Sequence, residues 1–236
     1  STVAAPFLPQ GLTLQGKRKD AINFTSEYPN GQTDKLLAGL STKAKLGFDK
    51  AQYIGMNFGP TDVDVQIQQG LLKVSPFATT VNNGQFSFAG QADFKQKPAL
   101  LKTANPVQMI KDIDINDEMT RRLLIYVSPI FANAVNVSGV VNFGCEQLTI
   151  PLSAADKNQA EVVGTISISK LRLQASDLLG QILSLAGKGV PGQDFTIHPT
   201  RFVLQNGFLR YDDMQVDVGD SPINFTNAVI GLDKSY

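Results

Sequence analysis

Residues 70–94 read GLLKVSPFATTVNNGQFSFAGQADF, and this stretch has the pattern of a β-hairpin. Leu72 and Val74 lie on one side of the first arm, and Asn83-Gly84 stands between the arms. In the second arm apolar residues alternate with polar ones; the apolar positions are Phe86, Phe88, Ala92 and Phe94. A period of two with Asn-Gly between the arms is a strong hairpin signal. We therefore expect a sheet with one apolar face and one face in water.

The composition is that of a chain able to bury a sizeable core. It has 236 residues, of which 42% are hydrophobic and 18% are charged. This length suits one β-rich domain over residues 1–236, with a weaker division into 1–98 and 107–236. Lys plus Arg and Asp plus Glu are both 21, so no net field attracts nucleic acid, and we expect no nucleic-acid partner.

The sequence contains no apolar run of the roughly 20 residues that a membrane-spanning helix needs, so we expect these residues to be soluble. It begins with Ser1 rather than Met, which suggests a processed fragment. We expect any membrane tether to lie outside it.

Alternation of apolar and polar residues recurs along the chain. Val63, Val65 and Ile67 share one face of a strand whose other face carries Asp and Gln. The range 135–150 also alternates, with a bend expected near Gly139 or Gly144; its apolar face carries Val135, Val137, Val141, Phe143 and Cys145. In residues 162–174 the apolar positions change from even to odd numbers, which predicts a bulge near Lys170.

Two segments have helical spacing. Residues 116–127 begin with Asn116 and Asp117 as candidate caps and end before Ser128-Pro129. Residues 176–186 read SDLLGQILSLA and form a wide apolar stripe that includes Leu178, Leu179, Ile182 and Leu183. We therefore expect a mainly β protein with a few short helices, of class α+β. Its extended, curved and largely antiparallel sheet would carry amphipathic helices packed on one face.

The sequence offers no catalytic constellation. His198 is the only histidine, and Cys145 shares its predicted strand face with Phe143 and Val141, so we interpret the cysteine as a small buried hydrophobe. The acidic run from Asp112 lacks the Gly and the final Glu of an EF-hand loop, and a strand end followed by a helix cap explains it better. We expect no enzyme, no catalytic residues, no metal and no cofactor.

The segment Leu36–Phe94 resembles the C-terminal region of AsmA-like proteins of the bacterial envelope. That region contains a hairpin with a Gly, alternating hydrophobic residues and a Pro, followed by a Gly-containing return arm. The matching positions here are Gly70, Leu72, Val74, Pro76, Gly84, Phe86, Phe88 and Gly90. The resemblance covers about a quarter of the chain.

The resemblance implies a long, strongly curved β-sheet that forms an apolar groove in the periplasm, with a membrane anchor in the full-length protein. It also implies a role in outer-membrane biogenesis and in phospholipid movement. The partners it implies are phospholipid or another envelope protein.

Two interpretations of the apolar face remain open. In the first, a groove that holds acyl chains is lined by Phe86, Phe88, Phe94, Val137, Val141 and Phe143. In the second, the predicted helices cover the same residues as a closed core, and the chain is a structural or protein-interaction module of the envelope. A polysaccharide-processing enzyme is a third and weaker interpretation.

Overall fold

A long antiparallel sheet dominates the computed structural model, which describes residues 11–16, 24–27, 36–126, 131, 135–174 and 194–231. The described strands are β1 (Thr13–Gln15), β2 (Phe24–Ser26), β3 (Leu40–Phe48), β4 (Lys50–Tyr53), β5 (Met56–Phe58), β6 (Thr61–Gln68), β7 (Leu71–Val81), β8 (Gly84–Asp93), β9 (Leu100–Lys102), β10 (Val107–Asp114), β11 (Val135–Pro151), β12 (Glu161–Gln174), β13 (Phe195–Gln205), β14 (Phe208–Val218) and β15 (Ser221–Gly231). One helix, α1 (Asp117–Arg122), and 3-10 turns at Leu124–Tyr126 and Ala154–Gln159 complete the described elements. The prediction of a mainly β, largely antiparallel fold is confirmed.

The strand order follows the chain over most of the sheet. From β10 to β15 each strand pairs with the next one in sequence. At β7 the sheet divides into two branches, one through β5 and β4 to β1 and the other through β6 and β3 to β2. The short strand β9 pairs with both β8 and β11. The polar run Gly16-Lys17-Arg18-Lys19-Asp20 between two alternating segments predicts a hairpin over residues 11–25. This prediction is wrong, because β1 pairs with β4 and β2 pairs with β3.

The predicted hairpin forms as β7 and β8, with its turn one residue earlier than expected. Asn82 and Asn83 are the two turn residues, and Gly84 already pairs with Val81. Both asparagines have positive φ, at 42° and 68°, which is the backbone of the two-residue turn that suits the twist of antiparallel strands. Asparagine tolerates this conformation better than most residues, so the Asn-Asn pair specifies the turn.

Bulges interrupt most of the long strands, and they explain why the apolar positions change parity along the sequence. The register of β7 shifts between Val74 and Phe77. That of β12 shifts between Ile168 and Leu171, where Lys170 has a φ of 52°. The bulge predicted near Lys170 is confirmed. In β11 the register also shifts on either side of Ser138, next to Gly139, at one of the two predicted bends.

Helix α1 is shorter than predicted and lies at one end of the sheet. The Asn116 side chain caps it by accepting a hydrogen bond from the Met119 N–H at 3.0 Å, as expected. The helix stops at Arg122, and the chain tightens into a 3-10 turn that buries Leu124. The helix predicted over 116–127 is therefore wrong in length.

The expected layer of amphipathic helices on one face is not supported. In the described part of the chain the single short helix packs against β11, and no second α-helix is present. The predicted helix over 176–186, with Leu178, Leu179, Ile182 and Leu183, lies outside the described residues. The core instead comes mainly from strand side chains, because alternate residues of β10 to β15 meet on the same face of the sheet.

Candidate apolar binding face

One face of the sheet is apolar across its whole width. Its residues lie opposite one another in neighbouring strands from β7 to β12. The successive partners are Thr79, Phe86, Ile110, Phe143 and Ile166. It continues across β13, β14 and β15 through Thr200, Phe202, Tyr211 and Ala228. In the described strands, none of the positions on this face is Asp, Glu, Lys, Arg or His. We call this surface the apolar face.

The end of the apolar face next to α1 is closed. Ile113, Ile168 and Ile197 are fully buried there, and Met119 and Leu124 from the helical segment belong to the same cluster. Phe131, at 2% exposure, also packs into it. This end is a conventional core.

The asparagines Asn82 and Asn116 tie the closed end together. Both side-chain amides donate to the Gly55 carbonyl, at 2.9 Å from Asn82 and 2.7 Å from Asn116. Asn82 also accepts a hydrogen bond from the Asn57 N–H at 3.0 Å. Gly55 is required here, because a Cβ at this position would lie 2.6 Å from the Asn116 side-chain oxygen. Three turns of the chain are thus held in one hydrogen-bonded cluster.

Away from α1 the apolar face carries half-buried phenylalanines, which we call the aromatic row: Phe77, Phe86, Phe88, Phe143 and Phe202. Phe77 contacts both Phe86 and Phe88, with ring centroids 6.2 and 6.3 Å apart. Phe143 stacks on Phe202 at 5.7 Å. Because these rings keep part of their surface accessible, they offer an apolar ligand contacts that the closed end does not.

Two glycines let rings of the aromatic row lie close to the sheet. A Cβ at Gly90 would come within 2.8 Å of the Phe88 ring. A Cβ at Gly164 would come within 2.5 Å of the Phe143 ring and of the Gly144 carbonyl oxygen. Glycine in a strand often marks such a close approach. The rings therefore occupy space that side chains would otherwise fill.

The apolar face continues into the β3, β6 and β7 branch. There Ala44 lies opposite Val65, and Val65 lies opposite Val74. Ile67 lies opposite Leu72, which is the next pair on the same face. All of these side chains are half-buried. This branch is thus apolar on one face and partly accessible on it.

The structure separates the predicted lining residues into three groups. Val137 and Val141 are buried in the closed end, at 5% and 2% exposure. Phe86 packs against both that core and a smaller cluster, which consists of Met109, Cys145 and Leu148. Phe88 and Phe143 pack against the smaller cluster alone. Phe94 follows β8, is half-buried and belongs to neither cluster.

Sequence reasoning missed two members of the aromatic row, Phe77 and Phe202. The bulge between Val74 and Phe77 changes the parity of the strand, so simple alternation assigns Phe77 to the wrong face. Phe202 lies in the arm before the Asn206-Gly207 turn, and its pairing with Tyr211 across that turn was the signal that could have found it.

The opposite face carries the charges. Exposed ion pairs join Arg201 to Glu146 at 3.2 Å and Lys45 to Asp62 at 3.6 Å. The carboxylate of Asp217 accepts one hydrogen bond from the Gln215 side-chain amide and lies 2.5 Å from the His198 ring nitrogen. Both contacts lower the pKa of Asp217, and the contact with Gln215 has the larger effect. The sheet therefore has one charged face and one apolar face.

Cys145 and His198 do not form a catalytic pair. Cys145 is 1% exposed on the apolar face, and burial raises the pKa of its thiol. His198 lies next to Asp217 on the charged face. The described residues include no cluster of three or more His, Cys, Asp or Glu side chains suited to a metal ion.

No protein-family model, curated protein or solved structure matches this chain. Among the helical residues that the structure describes, none forms a segment of the length and hydropathy needed to cross a membrane.

Proposed function

We propose that this chain is a non-catalytic, AsmA-like domain of the bacterial envelope that binds or guides lipid acyl chains on its apolar face in outer-membrane biogenesis. The observation that carries the proposal is the combination of an uncharged face across all the described strands with a partly accessible aromatic row. An uncharged apolar surface favours hydrocarbon because no ionic group has to be desolvated when the ligand binds.

The energetics of this site suit an acyl chain. Each methylene transferred from water contributes about 0.8 kcal/mol, so a segment of about ten methylenes contributes roughly 8 kcal/mol before the cost of association. Association costs at least about 4 kcal/mol, so the net affinity suits a guide that must release its cargo.

Bulges support a curved groove. A bulge bends its strand and increases the local twist. Bulges or register shifts occur in β7, β10, β11, β12 and β13. Bending so many neighbouring strands favours a sheet that partly encloses its ligand. A periplasmic location with a membrane anchor in the full-length protein fits this role.

The alternative function is a structural or protein-interaction module of the envelope whose apolar face serves only as core. The complete burial of Ile113, Ile168 and Ile197 favours it at the closed end. The half-buried aromatic row favours lipid at the rest of the face.

Lipid recovery from protein purified from a bacterial host tests the proposal. We expect phospholipid in the organic extract and adducts of matching mass in the native mass spectrum. Phe88→Asp should abolish recovery while the protein remains folded, because a half-buried position at the aromatic row can hydrate a carboxylate. Ser87→Asp is the matched control, since Ser87 is next in sequence and lies on the opposite face. It should keep its lipid.

Two results would contradict the proposal. One is wild-type protein with a clean native mass and no extractable lipid. The other is a Phe88→Asp variant that unfolds as completely as Val141→Asp, in which the charge enters the buried core. The second result would show that the aromatic row is core, as the interaction-module alternative requires.

A further inference from the structure

The last strand, β15, forms a margin of the sheet that is unusual in its composition. In the described part of the chain β15 pairs only with β14, along Ser221–Gly231. Its sequence, SPINFTNAVIG, contains no charged residue. The nine other described strands of eight or more residues each contain Asp, Glu, Lys or Arg. The long strand without a charge is thus the one at the margin.

A long strand at the edge of a sheet usually carries a charged residue, and β15 carries none. Proteins protect a free strand edge with lysine, with proline, with bulges or by keeping the strand very short, because unpaired N–H and C=O groups attract other strands. The strands at the opposite margin, β1 and β2, are described over only three residues each. β15 has Pro222 near its start and a left-handed backbone conformation at Asn227, where φ is 53°. Between them, residues 223–226 are regular and uncharged.

We propose that two copies of this chain associate by antiparallel pairing of their β15 edges. The proposal does not depend on lipid binding. Antiparallel self-pairing brings the central residue of the strand against its own copy, so a charge at or next to the centre would lie close to a like charge. A strand with no charges avoids this repulsion, which favours a second copy as the partner.

The backbone suggests the register. Proline is accommodated in a strand where its missing N–H would point to solvent, and alternate residues of a strand point the same way. Pro222, Asn224 and Thr226 therefore present their backbone groups outward. Pairing centred on Asn224 lets the two copies of this residue exchange backbone hydrogen bonds. It also places Ile223 opposite Phe225 of the second copy, on the apolar face.

The pairing would also preserve the two-faced character of the sheet. Ile223 and Phe225 lie on the apolar face, opposite Val216 and Met214 of β14, while Asn224 is exposed on the charged face. A two-fold axis perpendicular to the sheet keeps both apolar faces on the same side. Two copies would thus form one wider apolar face.

Sedimentation velocity over a protein concentration of about 1 to about 200 μM tests the proposal. We expect wild-type protein to shift from monomer to dimer across this range. Asn224→Lys and Asn224→Glu should each weaken dimerisation by about tenfold or more, because like charges then face each other at the two-fold axis. An equimolar mixture of the two variants should restore the dimer.

Ser169→Lys is the control, because it adds the same charge at an exposed site on β12, away from the margin. It should dimerise as the wild type does. The proposal is overturned if the wild type stays monomeric over the whole range, as it would if another part of the same chain covers β15. It is also overturned if the wild type grows beyond a dimer, or if either Asn224 variant dimerises normally by itself.

Discussion

Phe143 on β11 stacks on Phe202 on β13, although β12 lies between them. Their ring centroids are 5.7 Å apart and their planes differ by 23°. The residue of β12 opposite Phe202 is Gly164, and the Phe143 ring occupies the space above it. Because Gly164 has no side chain, the aromatic rings of the strands on either side of β12 can stack on each other.

Replacing Gly164 with alanine should therefore destabilise the protein. The new Cβ would lie 2.5 Å from the Gly144 carbonyl oxygen, which belongs to the backbone and cannot move aside freely. We expect a loss of about 1–3 kcal/mol in the free energy of unfolding, as for other overpacked sites, measured by urea denaturation.

Gly144→Ala is the matched control for this substitution. Its Cβ would meet its nearest neighbours, Gln108 and Thr165, at 3.4 and 4.0 Å, which are ordinary contacts. We expect no loss, or a gain of about 0.5–1 kcal/mol, because alanine loses less conformational entropy than glycine in a strand. Equal effects of the two substitutions would contradict the described ring packing.

Asn116 has two roles that different substitutions can separate. Asn116→Ala should cost about 0.5–2 kcal/mol for the helix cap alone, and more because the amide also donates to the Gly55 carbonyl. Asn116→Asp keeps an acceptor for the Met119 N–H but loses that donor. The midpoint of thermal unfolding of Asn116→Asp should therefore lie between the midpoints of the wild type and of Asn116→Ala. An aspartate variant as stable as the wild type would show that the bond to Gly55 contributes nothing.

The buried and half-buried parts of the apolar face should respond differently to truncation. Ile197→Ala removes a fully buried side chain and should cost about 2–5 kcal/mol. Ile67→Ala, in the partly accessible branch, should cost clearly less in the same denaturation experiment because less surface returns to water. A cost at Ile67 as large as that at Ile197 would mean that this branch is also closed core.

Tyr211 should make the protein sensitive to alkali. The side chain is 1% exposed, and burial raises the pKa of its hydroxyl above the ordinary 10.0. The unfolded chain therefore loses this proton at a lower pH than the folded one. The stability linked to Tyr211 is complete below pH 10 and falls as the pH rises from there toward the folded-state pKa.

Thermal unfolding at increasing alkaline pH should show this loss, and Tyr211→Phe should reduce it. The ultraviolet absorbance of tyrosinate should also show one tyrosine of the folded protein titrating late, and that component should vanish in the variant. A Tyr211→Phe protein with an unchanged alkaline profile would assign the effect to other groups.

Local patterns were sufficient to predict the β7–β8 hairpin and the bulge in β12. Asn206 and Gly207 both have positive φ between β13 and β14, as their residue types indicate. Lys170 lies where the apolar parity changes. Each of these features depends on a few neighbouring residues, which the sequence shows directly.

The features that were missed depend on distant contacts. Nothing near Leu14 indicates that its partner is Ala51, because that pairing joins strands far apart in sequence. Helix α1 ends at Arg122, and Leu124 is buried in the 3-10 turn that follows, a tertiary contact that helical spacing does not reveal. Of the predicted lining residues, Val141 and Phe88 have the same alternation, yet only the packing around them makes one buried and the other partly accessible.

The consecutive order of β10 to β15 has a consequence for how such a protein could change in size. Because each strand in this series lies beside its sequence neighbour, a duplicated or deleted hairpin would leave every remaining pairing intact. Adding one hairpin after β15 would widen the sheet by about 9.5 Å, the width of two strands. Chains of different lengths could thus arise by whole-hairpin gain or loss at this end, without any redesign of the fold.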